Sequence, residues 1–277
     1  MGTEEGAGRM SGAAAGAQDA PILVERDGDA VAVVRLNRPR RKNALTLAMW
    51  REVGDLFEAF SAEPALRAVV LTGAGGAFSA GADVGEFPEV RATEAQAKAY
   101  AEAVERATEA IRLCAKATYS AVSGPAYGGG CGLAVACDFR VADRTAHFAI
   151  PAAKLGIVYG LSETRALLAA VGLAAAKEML FAARRHDAEG AAAIGLVTHL
   201  SETDALPAAR AAAAELADKA PLSIAGAKTV LEALSPRLDG EARDAVRAAE
   251  ARAARSDDYA EGVRAFAEKR APRFRGV

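Results

Sequence analysis

The sequence predicts an α/β core followed by an all-helical C-terminal segment. Three observations carry this. Short β-rich runs alternate with stretches of helical period as far as residue 200. Two glycine-rich loops each sit where a strand gives way to a helix. From Thr203 onward the pattern is almost wholly helical, broken at Pro221. At 277 residues the chain can hold one large domain, or one domain with a smaller appendage.

Residues 1–20 are small and polar, without an apolar signal region, and read as a disordered tail, so order is expected to begin near Pro21. Residues 22–25 and 30–36 flank Asp27-Gly28 and read as a hairpin. The proline-containing loop 37–43 precedes an amphipathic helix from about Thr46 to Ser61. Residues 67–72 (RAVVLT), stopped by Gly73, suit a buried strand, and a glycine-rich loop at 73–87 leads into a long helical stretch through Cys114. A strand at 119–123, a second glycine loop, a helix through Ala136 and a strand at 138–142 follow, and 195–200 (GLVTHL) looks extended. The core is thereby expected over 21–202 and the helical segment over 203–277.

Composition excludes several classes. Apolar residues make up 52% of the chain, much of it alanine, which suits a finely packed core. The formal net charge is −2 with the signs interspersed, so the basic stripe of a nucleic-acid binder is missing. No apolar run approaches the roughly 20 residues that span a bilayer. The three cysteines, Cys114, Cys131 and Cys137, fit neither a disulfide framework nor a metal-site spacing. They read as reduced thiols in a cytoplasmic protein. His147, His186 and His199 have no cysteine or acidic partner at metal spacing, so no metal site is expected.

The chemistry concentrates in Phe78-Ser79-Ala80-Gly81-Ala82-Asp83 and Gly128-Gly129-Gly130-Cys131-Gly132. Helix N-termini carry free N–H groups and the positive end of the dipole, and two of them converging could hold an oxyanion or enolate. Neither loop carries a Gly-Lys-Ser/Thr ending or a G-x-G-x-x-G pattern, so a nucleotide fingerprint is absent.

The ordered set is more specific. Asn37-Arg38-Pro39, Asn43-Ala44-Leu45, AFSAGAD, GPAYGGGCGLAVACDFRVA, FAIPAAKLGI and the terminal SDDYAEGVRAFAEKRAPRF together resemble the crotonase (enoyl-CoA hydratase/isomerase) superfamily, over about residues 22–274. The resemblance implies a spiral of ββα units with a helical C-terminal trimerisation region, assembled as a homotrimer or dimer of trimers. It implies an acyl-CoA substrate and no cofactor apart from the coenzyme A that the substrate carries. By motif position, the N–H groups of Ala82 and Gly129 would form an oxyanion hole. Ala80, Gly81, Asp83, Val84, Gly85 and Gly128 would line the acyl-CoA site, with Asp83 also bracing its turn. Arg41 or Lys42 would lie near the CoA phosphates, and Phe266 and Lys269 near the nucleotide end, of the same or a neighbouring subunit. Positive charge there suits a polyanion, although each such residue also reads as a solvated surface charge.

The chain departs from the hydratase pattern at both catalytic carboxylates. Hydratases of this family hold and activate water with two glutamates, whose pKa values are pushed apart by environment. Gly132 and Ala152 stand at those positions. The two-glutamate mechanism therefore cannot run on these residues, and neither position supplies the single glutamate of the family's double-bond isomerases, whereas backbone donors are untouched. Tyr159 falls where decarboxylases acting on methylmalonyl-CoA-like substrates carry a tyrosine, and FAIPAAKLGIVYGL and APLSIAGAK also resemble that branch, although Ala82 replaces its histidine. Glu163, opening the next helix, and Glu86, after the first loop, are the remaining carboxylates that could serve; either also reads as a helix-dipole partner. The sequence thus points to a CoA-thioester lyase of enoyl-CoA hydratase type with altered acid/base groups. Decarboxylation of a malonyl-type CoA and non-catalytic acyl-CoA binding are the alternatives.

Overall fold

The computed structural model describes residues 19–234 and 240–276. The expected disordered tail lies outside the described residues, apart from Asp19 and Ala20.

The expected hairpin is present: β1 (Ile22–Asp27) pairs antiparallel with β2 (Val31–Leu36), Ile22 opposite Leu36 and Asp27 opposite Val31. Beyond it every neighbour in the main sheet is parallel. β3 (Ala68–Gly73), β4 (Ala117–Val122), β6 (Phe139–Asp143) and β9 (His199–Ser201) complete the order β1-β2-β3-β4-β6-β9. A second sheet stands beside it, with β5 (Pro125–Tyr127) parallel to β7 (His147–Ala149) and β7 antiparallel to β8 (His186–Asp187).

Both faces of the parallel sheet are buried, and the period-2 alternation of the strands sorts their side chains between two cores. Ala32, Val34, Leu36, Val69 and Leu71 face α1 (Leu47–Ala62) and α3 (Glu94–Arg112), meeting Trp50, Phe57 and Ile111. Val31, Val33, Ala68, Val70 and Val141 face α7 (Ala205–Ala217), whose Ala205, Ala209 and Ala213 lie four apart on one stripe. The abundance of alanine serves this close approach of helix to sheet.

Local signals explain the boundaries. The Thr46 side chain accepts from Met49 N–H at 3.3 Å and starts α1. Thr93 and Gln96 form a reciprocal capping box that starts α3. The long helical stretch expected after the first loop is interrupted. A 3₁₀ turn at Val84–Glu86 and the short α2 (Phe87–Val90), with Pro88 in its first turn, precede the fresh start at Thr93. Residues 195–200 are extended only at their end. Gly195 has φ +81°, and the N–H groups of Leu196 and Val197 both turn back to Ala191 O, closing α6 (Ala188–Ala193).

α4 (Gly129–Ala136) and α5 (Leu161–Phe181, kinked at Gly172) pack against each other under the second loop. The C-terminal segment continues with α8 (Pro221–Leu234), α9 (Gly240–Ala254) and α10 (Asp257–Ala267). α10 docks on the same chain's 152–157 turn, where Gly262 lies against the Leu155 backbone and Gly156 against Asp258. The Arg91 guanidinium lies over the rings of Phe87, Tyr100 and Tyr259 at 4.6, 5.3 and 5.3 Å, joining α10 to the loop region by cation–π contact. Among the described residues no helix is long and apolar enough to cross a membrane.

A Cβ at position 262 would stand 2.5 Å from the Leu155 carbonyl oxygen. Gly262→Ala is therefore expected to lift α10 from this turn and cost about 1–3 kcal/mol, as overpacking against backbone does. Thermal unfolding with limited proteolysis checks it: a lower melting temperature and new cleavage near α10 are expected.

Candidate functional site

The first loop is assembled around the Asn43 side chain, which is wholly buried. Its Oδ1 accepts from Arg38 N–H at 2.9 Å, and its Nδ2 donates to the carbonyls of Ala74 and Ala77 at 2.8 and 2.7 Å. Lys42 and Asn43 both adopt left-handed backbone, φ 48° and 55°. That conformation is costly for a side-chain-bearing residue, and these bonds hold it in place. The Asn43 carbonyl accepts from Ser79 Oγ at 2.8 Å, and Ser79 Oγ accepts from Gly81 N–H at 3.0 Å.

Most of the loop's N–H groups are thereby used. Ser79 N–H donates to Pro125 O, Ala80 N–H to Lys42 O and Asp83 N–H to Leu45 O, at 2.9, 2.8 and 2.8 Å. The N–H of Ala82 has no partner among the described residues. This donor therefore comes from an extended segment bridged to Leu45, and not from the helix N-terminus expected there. The 3₁₀ turn that follows is too short to make one.

The second loop does open a helix. Gly128, at φ 49° and ψ −121°, turns the chain into α4, its N–H donating to Ala149 O at 2.9 Å. Gly129 is the first helical residue, and its N–H has no protein partner among the described residues. The two loops meet where side chains are small. A Cβ on Gly81, which has φ +90°, would lie 3.0 Å from Gly129 N and 2.5 Å from Tyr127 O. The free N–H of Ala82 is therefore one residue from the point where the first loop touches the second, with the dipole of α4 directed there.

A carboxyl group reaches the same point by another route. Glu163, in the first turn of α5, is 5% exposed. Its Oε1 occupies the space that a side chain at Gly132 would enter and lies 3.7 Å from the Cβ direction of Gly129; it has no hydrogen-bond partner among the described residues. The Tyr159 hydroxyl adjoins it, 2.8 Å from the same Gly132 Cβ direction, and donates to Gly128 O at 2.9 Å. Burial pushes the Glu163 carboxyl up to about 7, with the Tyr159 hydroxyl and Gly160 backbone holding it back and the carboxyl of Glu250 adding to the rise. Burial likewise raises Tyr159. A thiol is close by, but burial pushes Cys131 up to about 12, so it is neutral and unreactive near pH 7.

Glu86 is committed elsewhere: its Oε2 accepts from Leu47 N–H at 2.8 Å, at the start of α1. Asp83 pairs with Arg38 at 2.9 Å, and Arg38 also donates to Ala44 O at 2.5 Å, so the acid braces the loop against the preceding turn. Val84 and Gly85 form the 3₁₀ turn beyond it. Arg41 and Lys42 are exposed on the turn beside Ala80, and a hollow lined by Asp19, Asn37, Arg38, Pro39, Arg40 and Arg41 opens next to them. Phe266 (59% exposed) and Lys269 lie at the C-terminal end of α10, with no bond to either loop among the described residues. His147 stacks on Tyr127 at 5.1 Å, and among the described residues no group of His, Cys, Asp or Glu could hold a metal.

Sequence reasoning gave no part to Trp50 or Tyr100. The Trp50 ring is 2.8 Å from the Cβ direction of Gly129, and its Nε1 donates to the Tyr100 hydroxyl at 3.0 Å, deep in the core. On sequence alone both read as apolar positions of amphipathic helices.

A parallel-rich sheet continued by alternating helices, with a helical C-terminal segment, is the crotonase fold, as solved relatives bear out. An enoyl-CoA hydratase/carnithine racemase from Magnetospirillum magneticum is 38% identical, with a TM-score of 0.74 over 93% of this chain and 96% of that one. A methylmalonyl-CoA decarboxylase in complex with 2-nitronate-propionyl-CoA superposes with a TM-score of 0.82 at 28% identity, over 93% and 99% of the two chains. The Mycobacterium tuberculosis protein named "Probable enoyl-CoA hydratase echA8" is 34% identical over 257 residues, 91% of this chain and 97% of its own. The chain belongs to the enoyl-CoA hydratase/isomerase family, whose pattern it matches over residues 26–277.

The Glu163 carboxyl has a consequence for stability. With its folded value raised to about 7 from 4.5, the folded chain keeps a proton that the unfolded chain has released between those two pH values. Stability contributed by the neutral form is present in full below pH 4.5 and is lost as pH rises to 7, by about 3 kcal/mol at 1.36 kcal/mol per pH unit. Glu163→Gln should remove this loss, so its melting temperature should fall less than that of the parent between pH 5 and pH 8. Equal pH slopes for the two proteins would refute the assignment.

Proposed function

We propose that the protein is an acyl-CoA thioester enzyme that forms an enolate, held by the Ala82 and Gly129 N–H groups, with Glu163 moving the proton. The observation that carries the reading is the buried Glu163 carboxyl, whose Oε1 has no hydrogen-bond partner among the described residues, standing in the space left open at Gly132 beside a free helix-terminal N–H. Two donors aimed at the thioester oxygen favour the enolate over the ground state. A carboxyl poised near neutrality can take the α-proton and return it. One such group suffices to shift a double bond: the proton leaves the carbon on one side and is delivered at the other. Hydration of the hydratase kind relies on a second carboxyl for the water, and Ala152 cannot supply it.

In this reading the coenzyme A of the substrate is the only cofactor. Arg41 and Lys42 meet its phosphates from the turn beside Ala80, and the segment from Ala80 to Gly85 lines the thioester. Phe266 and Lys269 come from a neighbouring copy in a homotrimer or dimer of trimers. Leu222, Val230, Leu231 and Leu234, all exposed on α8, support an assembled state, since so large an apolar face is costly to leave in water.

The likeness to the methylmalonyl-CoA decarboxylase favours a second reading, loss of CO₂ from a malonyl-type CoA with the enolate held by the same two donors. Tyr159 is not free to orient a substrate carboxylate there, because its proton is engaged by Gly128 O.

Exchange of the α-protons of butyryl-CoA in D₂O, followed by mass spectrometry, tests the leading reading. Steady exchange is expected, and Glu163→Gln should slow it by about 10²-fold or more. Binding without exchange would make the protein a carrier, and an unslowed variant would remove Glu163 from the chemistry. CO₂ release from malonyl-type CoA without exchange on butyryl-CoA would favour the second reading.

A further inference from the structure

The carbonyl of Gly128 and the N–H of Gly129 belong to one planar peptide unit, so they point in opposite directions and turn together. That carbonyl is held at two points: Gly132 N–H donates to it at 3.0 Å and the Tyr159 hydroxyl at 2.9 Å. We propose that Tyr159 is a positioning residue, whose hydroxyl grips Gly128 O and thereby aims and strengthens the Gly129 N–H as an oxyanion donor.

Three features support this. The torsion that rotates this peptide is ψ of Gly128, at −121° with φ at 49°, in a region open to glycine. No atom lies within 4 Å of the Cβ direction of Gly128, so that side of the residue is open, and the carbonyl is held through its hydrogen bonds. The hydroxyl can reach the carbonyl because Gly132 has no side chain: a Cβ there would be 2.8 Å from it. A bond to the carbonyl also polarises the amide, which makes its N–H a better donor in a buried, low-dielectric setting. Tyr159 is held for this task on the turn into α5, where its own carbonyl accepts from Thr164 Oγ1 at 3.3 Å.

The inference rests on the reading that Gly129 N–H receives the thioester oxygen, and the test separates the two. The full chain and Tyr159→Phe are titrated with butyryl-CoA and with 2-nitropropionyl-CoA, whose ionised nitronate mimics an enolate. The parent is expected to prefer the nitronate. The variant should bind butyryl-CoA within about twofold of the parent, lose about 10-fold of its nitronate preference and exchange α-protons about 10-fold more slowly at unchanged KM. The carbonyl stretch of bound ¹³C-labelled thioester should move back toward its solution value. If the parent itself shows no nitronate preference, the oxyanion reading fails and this inference with it. If the parent prefers the nitronate and the Phe variant keeps that preference in full, only the role of Tyr159 falls. A tyrosine that merely packs would lower the melting temperature and leave preference and stretch alone. Should the Phe variant not fold, 3-fluorotyrosine at 159 retains the packing and strengthens the donor. The nitronate preference should then rise, and an unchanged preference would overturn the proposal.

Discussion

The site depends first on one buried amide. Asn43 closes the turn before α1 through Arg38 N–H and fastens it to the segment after β3 through two hydrogen bonds, and its carbonyl then orders Ser79, which orders Gly81. The direction of the Ala82 N–H is the last link in that series. A short polar side chain is suited to the work, because it tolerates the left-handed backbone at 43 and satisfies carbonyls that no strand reaches. The sheet supplies position, but the amide sets the aim.

Around this anchor the chain builds a dry wall. Trp50 and Tyr100 close the space beside Gly129, Arg91 stacks against Tyr100, and α10 brings Tyr259 over the same guanidinium. Excluding water raises the worth of every dipole that remains, which is why a single buried carboxyl can be held near neutral pH without a cation beside it. The C-terminal helices thus bear on the electrostatics of the loops as well as on packing, with Glu250 of α9 adding to the upward push on Glu163.

Much of this could be read from the residues. The hairpin, α1, the strand after Arg67 and the helical C-terminal segment follow from local periodicity and caps, and they stand within a residue or two of where those signals put them. The ordered motifs point to the family. Less legible was anything set by contacts distant in sequence. Two short-range features escaped the periodicity as well: the Thr93 and Gln96 cap interrupts the stretch after the first loop, and residues 196 and 197 fold back on Ala191. Glu163 and Tyr159 stood out as candidates, but that they converge on Gly132 is a matter of tertiary approach, invisible in spacing. The use of Glu86 on Leu47 N–H joins positions 39 residues apart, and no local rule brings them together.

The collision between Glu163 and any side chain at 132 has an evolutionary reading. The two ways of placing a carboxyl at this point exclude each other: one needs a bare backbone at 132, and the other needs position 163 to withdraw. While Glu163 keeps this rotamer, a glutamate at 132 would crowd two acids into a space fitted to one. Moving from one design to the other therefore asks two positions to change together, a side chain arriving at 132 as the Glu163 carboxyl swings away or is lost.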